Sequence, residues 1–175
     1  GRPEMLSKTM EKALNEQINA EFYSSYMYLS MSTWFDSVGL PGAAKWMQAQ
    51  TQEEWFHGMK LLGYLNERGG RVILKAIKQP PVEWKSTLHV FQDVLTHEQK
   101  VTGLINKLLN LALEEKDHAS NIFLQWFISE QVEEEANVGA VLNKLKLIGK
   151  DTTALFNLDT TLGQRVFTPP PATGK

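Results

Sequence analysis

Apolar residues along this chain recur at alternating steps of three and four, the spacing that lines one face of an α-helix. No segment sustains the strict alternation of a half-buried strand, so the pattern requires helices and no sheet. Prolines bound the runs. They stand at Pro3, Pro41, Pro80, Pro81, Pro169, Pro170 and Pro171, which leaves the stretches between them open to long helices. A first helix is predicted over residues 8–36 with Gly39 behind it, and a second over 41–68, opened by Pro41 and stopped by Gly69 and Gly70. Ser86 caps a third helix running to about residue 116, and Asp117 caps a fourth running to 148, ahead of Gly149. A short fifth helix is expected over roughly 153–163, with Leu155, Leu158 and Leu162 on one face.

The connections set the topology. Only a few residues join the first helix to the second and the third to the fourth, so each pair forms an antiparallel hairpin. Between the hairpins lies the stretch 69–85, long enough to run the length of a bundle and bring the second and third helices parallel. The expected fold is all-α: a four-helix bundle with one long crossover and a short fifth helix, residues 1–165 forming one domain. Residues 166–175, with three consecutive prolines, are expected to be a disordered tail.

Each long helix carries an acid on its apolar stripe. The first reads Leu14, Ile18, Glu21, Ser25, Tyr28; the second Met47, Gln50, Glu54, His57, Leu61, Tyr64. The third reads Phe91, Val94, Glu98, Val101, Ile105, Leu108, Ala112; the fourth Leu124, Phe127, Gln131, Glu134, Val138, Val141, Leu145. At ~1.5 Å per residue, Glu21 and Glu54 stand at one height from their shared turn, and Glu98 and Glu134 at one height from theirs. Four carboxylates meeting in mid-bundle, with no Lys or Arg on those stripes, would repel one another at a desolvation cost that cations must offset. Oxygen ligands with one imidazole suit iron or manganese, and Glu54 is placed to bridge two ions. Carboxylate-bridged bundles commonly carry Glu-x-x-His on two helices. Here Glu54-x-x-His57 matches, but the fourth helix offers Gln131-x-x-Glu134, so the two metal positions are unequal. Glu53, Glu130 and Glu133 flank this cluster, either as a solvated acidic face or as a third, more exposed metal position. Tyr28 is either a core aromatic or a donor to the ligands. His97 is expected on a polar face, with His89 and His118 on the surface.

Composition narrows the classes further. The 175 residues carry 18 Lys and Arg against 20 Asp and Glu, a formal net charge of −2 that offers no basic field to nucleic acid. There is no cysteine, hence no disulfide framework and no thiolate metal site. Apolar runs fall short of a membrane span, and Glu4, Lys8, Glu11 and Lys12 interrupt any signal-peptide core, so a cytoplasmic protein is expected.

The stretches Asn15-Glu-Gln-Ile-Asn-Ala-Glu-Phe-Tyr-Ser-Ser, Gln52-Glu-Glu-Trp-Phe-His57, His97-Glu98 and Phe123-Leu-Gln-Trp-Phe-Ile-Ser-Glu-Gln-Val-Glu-Glu-Glu135 together resemble the non-haem ferritins of bacteria and archaea. The resemblance implies a ferritin-like bundle assembled with itself into a cage of about 24 subunits. It further implies ferroxidase activity: Fe(II) oxidised by O2 or H2O2 at a di-iron site and stored as Fe(III) mineral, with no haem. On that resemblance Glu21, Glu54 and His57 correspond to the first iron position, and Glu54, Glu98 and Glu134 to the second. Glu53, Glu130, Glu133 and Glu134 correspond to a third, while Gln131 and Tyr28 surround the site. Acids that line the iron entry of animal ferritins are replaced by Asn121 and Leu124. The competing reading is a di-iron or di-manganese redox enzyme on the same bundle, which the missing second histidine disfavours.

Overall fold

The computed structural model of the chain describes residues 6–171. Five helices follow one another: α1 (Lys8–Ser37), α2 (Pro41–Glu67), α3 (Thr87–Glu114), α4 (His118–Ile148) and α5 (Thr152–Leu162). With no strand among the described residues, the architecture is the expected all-α four-helix bundle plus a short C-terminal helix. No helix among them is long and apolar enough to cross a membrane. Contacts gather the chain into two compact units. Among the described residues, one comprises 6–17, Leu62–Leu74 and Trp84–Lys150; the other comprises Ile18–Leu61, Lys75–Glu83 and 151–171.

In the first unit, the predicted stripes of α3 and α4 are buried residue for residue, from Phe91 to Ala112 and from Leu124 to Leu145. Ser86 and Asp117 cap these helices as expected, accepting from the backbone N–H of His89 and Ser120, which satisfies one orphan donor of each first turn. α3 stops two residues short of its predicted end because Lys116 turns into the left-handed region (φ 54°), and the Asp117 N–H returns to the Ala112 carbonyl. That closure is usually given to glycine, so the residue type carries no warning of it. Asp117 has a second role: its carboxylate pairs with Arg68 at 3.0 Å, and Arg68 also donates to the Tyr64 hydroxyl, while the Tyr64 ring stacks on Phe123. Burial opposes the charge on Asp117, but the hydrogen bonds from Arg68 and Ser120 overcome it and hold the carboxyl below its ordinary value. A depressed carboxylate contributes stability above its unfolded pKa and loses it as pH falls through the lower folded value. Asp117→Asn is therefore expected to cost about 2 kcal/mol at pH 7 and progressively less below about pH 4, read by denaturant titration across pH.

The second unit pairs the rest of α1 and α2. Ser32 Oγ donates to the Ala44 carbonyl and Ser25 Oγ to the Thr51 carbonyl; seven residues back along α1 match seven forward along α2, which defines an antiparallel register. Glu21, Phe22, Glu54 and Trp55 then fall at one level, and the Phe22 and Trp55 rings stack at 4.4 Å. The crossover is non-helical from Gly70 to Ser86 and is gripped by α1. Asn19 Nδ2 donates to the Ala76 carbonyl and Ser30 Oγ to Pro81. Eleven helical residues rise about 16 Å, the span of five extended residues, so the crossover lies straight along the helix. In the first unit Asn15 makes the same kind of grip, accepting from Ile73 N–H and donating to the Arg71 carbonyl.

α5 is capped by Asp151 and buries Leu158 and Leu162, with Leu155 half-buried. Its Asp159 carboxylate takes the N–H groups of Gly42 (3.0 Å) and Ala43 (2.7 Å), the first orphan donors of α2. Of the segment read as a tail, residues 166–171 are described and non-helical, with the Phe167 ring 6.1 Å from Phe56; 172–175 lie outside the described residues.

Candidate metal centre

Within the second unit, α1 supplies Glu21 and α2 supplies Glu54 and His57, each about 1 % exposed. One ligand atom of each lies within 4.8 Å of the other two, the separation at which a single cation could be shared. His57 Nδ1 stands 3.4 Å from Glu54 Oε2 and 4.0 Å from Glu21 Oε2. Gln50, one turn before Glu54, donates to Glu54 Oε1 at 3.3 Å. Burial lowers the His57 pKa, against an upward pull from Glu21 and Glu53 and with a further downward push from Lys60. The imidazole is thereby kept neutral near pH 7, the form in which its lone pair can bind a metal.

Close packing sets these side chains. A Cβ on Gly58 would clash with the edge of the Phe22 ring at Cε1, so a side chain after His57 would push aside the residue after Glu21. Tyr28, fully buried two turns along α1, belongs to the core of this unit. Glu53 is half-buried and its Oε2 pairs with Arg165 Nη2 at 2.7 Å. Arg165 was not among the sequence-derived candidates.

In the first unit, α3 and α4 bury Glu98, Gln131 and Glu134 on their facing stripes. Gln131 Nε2 lies 3.1 Å from Glu98 Oε2 and 3.2 Å from both the Glu98 carbonyl and Thr102 Oγ1. The Thr102 hydroxyl in turn reaches Glu135 Oε2 at 2.7 Å, the shortest contact of the set, and so spends its single proton there. This leaves Thr102 as an acceptor for Gln131, and the amide as donor to Glu98. The chain Gln131–Thr102–Glu135 thus orients Glu98 as an acceptor. Where a second Glu-x-x-His would offer its glutamate, this chain has the Gln131 amide, and Glu134 stands in the histidine's place. Thr102, one turn beyond Glu98, is a positioning residue that the stripe does not reveal.

The remaining candidates divide by exposure. Glu130 is half-buried, and Glu133 is exposed. His89 and His118 are exposed as expected, but His97 is half-buried rather than on a polar face. Burial, with a smaller push from Lys100, lowers its pKa to about 4. A buried neutral base contributes stability that is complete above its unfolded pKa near 6.5 and is lost as pH falls from there to about 4. His97→Gln is expected to flatten the stability–pH curve across that window by roughly 2 kcal/mol, measured by urea titration at successive pH values.

Comparisons with known proteins place the fold in a family. The Ferritin-like domain family matches residues 11–148. A probable bacterial non-heme ferritin-like protein of Haemophilus influenzae is 43 % identical over 159 residues, covering 91 % of this chain and 96 % of its own. A bacterial non-heme ferritin of Staphylococcus aureus is 39 % identical over 163 residues, covering 93 % and 98 %. Among solved structures, a closed form of the Archaeoglobus fulgidus ferritin engineered by site-directed mutagenesis superposes with a TM-score of 0.92 at 52 % identity, over 93 % of this chain and 99 % of that one. The open-pore ferritin of the same archaeon gives 0.91 at 51 %, over 91 % and 98 %. The chain belongs to the ferritin-like family.

Proposed function

We propose that this protein stores iron in the cytoplasm and is a ferroxidase, taking Fe(II) as substrate and retaining the Fe(III) product as a hydrated oxide within a cage of about 24 copies. The buried Glu21–Glu54–His57 trio carries the reading: hard oxygen donors and one neutral imidazole, drawn from two helices locked in register. In this reading the trio holds the first iron, while Glu54, Glu98 and Glu134 hold the second. Glu53, Glu130, Glu133 and Glu134 form a weaker third position through which iron passes. Two Fe(II) each give one electron; O2 accepts both and leaves at the peroxide level, or H2O2 accepts both and leaves as water. The carboxylates stabilise the Fe(III) pair, whose bound water loses protons as oxide forms. Gln131-x-x-Glu134 in place of a second Glu-x-x-His makes one position weaker than the other, which suits a product that must leave.

Self-association is supported by an apolar groove of about 640 Å³ in the second unit, lined by residues including Phe22, Tyr26, Leu29, Trp55, Ile77 and Phe167. Trp55 there is 53 % exposed, a cost that burial against a second copy removes. The deciding experiment loads demetallated protein with Fe(II) anaerobically and then admits air. Mineral well beyond two irons per chain, co-eluting with a particle of about 24 chains, is the expected result. Uptake that stops at two irons per chain would favour a resident di-metal redox enzyme and overturn the storage reading.

A further inference from the structure

The segment that leaves α5 is fastened along one face of α2. Asp159 binds the first turn of α2; the Arg165 guanidinium lies 4.3 Å from the centroid of the Trp46 ring; Arg165 Nη2 pairs with Glu53; and Phe167 stands against Phe56. Trp46, Glu53 and Phe56 are spaced by seven and three residues, so they share one face of the helix. Arg165 is therefore held from two sides, by an aromatic face and by a carboxylate. With side chains only 22 % and 19 % exposed, the pair is less screened than a surface pair. It also consists of one N–H···O contact and not a bidentate fork, so Glu53 can be taken from it without dismantling a two-armed clamp.

We propose that Arg165 is a built-in counter-cation for Glu53, which a metal ion must displace. It holds Glu53 in place while no metal is near, and it competes with metal for that carboxylate, holding the adjoining position weak and its occupancy reversible. The inference rests on the reading of Glu53 as a ligand of the third position. A solely structural strap would make the same contacts but leave metal affinity untouched.

Manganese(II), which air does not oxidise under mild conditions, is the probe, with bound and free ion distinguished by electron paramagnetic resonance on assembled, demetallated protein. Glu53→Gln is expected to delete the weakest class of sites. Arg165→Gln is expected to tighten that same class about tenfold while leaving the tighter classes unchanged; a shift of all classes together would instead report a general loss of positive charge and overturn the proposal. Arg165→Lys keeps the charge on a more mobile ammonium and should tighten the weakest class about threefold. Should Arg165→Gln fail to assemble, the lysine variant alone decides: an isotherm equal to the parent's overturns the proposal. So does an Arg165→Gln isotherm equal to the parent's beside a lowered melting point, which would make the segment a strap only. If Glu53→Gln leaves every class in place while the parent binds manganese, Glu53 is no ligand, and the third-position reading falls separately from the centre built on Glu21, Glu54 and His57.

Discussion

Glu54→Gln is expected to slow the first Fe(II) oxidation at least a hundredfold while leaving the metal-free protein within about 1 kcal/mol of the parent in stability. The activity half follows from position. Glu54 is the residue proposed to touch both irons, and Gln50 already donates to one of its oxygens. An amide of the same size keeps the packing but replaces one anionic oxygen with a donor, which cannot bridge two cations. The stability half follows from electrostatics. The imidazole beside Glu54 has its pKa lowered by burial and stands neutral, so the 3.4 Å contact is a close approach and not a full ion pair. Removing one charge from a buried group of carboxylates relieves repulsion and desolvation, which offsets the weakened contact. A Glu54 that served as a salt-bridged core residue would give the reverse, a loss of about 3–5 kcal/mol with oxidation intact. Stopped-flow Fe(II) oxidation beside calorimetry of demetallated protein separates the two, and strong destabilisation with a normal first turnover would remove Glu54 from the centre.

The trio was legible in the sequence for a specific physical reason. An acid on an otherwise apolar helical stripe is conspicuous, because periodicity predicts its burial and chemistry predicts the cost of that burial. Glu21, Glu54, Glu98 and Glu134 all met that test, and all are buried. Asp159 is a fifth case of the same kind. It sits between Leu158 and Leu162 on α5, where the same test would have found it, but in a helix too short for its stripe to stand out. The residues that tune the site obey no such rule. Gln50 and Thr102 are each one turn from a candidate ligand, a spacing that many uninvolved residues share, and only the hydrogen bonds single them out. Arg165 lies in a non-helical segment, where no period relates it to Glu53. The crossover's path was equally hidden: Asn15 and Asn19 grip backbone carbonyls, which every residue possesses. Sequence patterns disclose burial along an element far better than they disclose partners across an irregular one.

Gly42→Ala is expected to detach α5 from α2 and lower stability by about 3 kcal/mol. A Cβ at this position would fall inside the Asp159 carbonyl, a backbone atom that can yield only if α5 itself moves. Such movement withdraws the Asp159 carboxylate from the Gly42 and Ala43 N–H groups, leaving two orphan donors in the first turn of α2. A lost cap costs about 1 kcal/mol, and exposing Leu158 and Leu162 adds up to 1.5–3 kcal/mol for each side chain fully uncovered. Partial resettling of α5 recovers some of that burial, which brings the net figure to a few kcal/mol. Asp159→Asn provides the graded comparison: it keeps one carbonyl oxygen for the helix terminus but turns a donor toward the other N–H, and should cost about 1 kcal/mol. Limited proteolysis then distinguishes displacement from a general loss of stability. In Gly42→Ala, cleavage within 150–171 should appear under conditions in which α3 and α4 stay intact. Parent-like resistance of that segment, with an unchanged melting point, would mean that α5 accommodates the methyl by a small shift and that the Asp159 contact does not hold it in place.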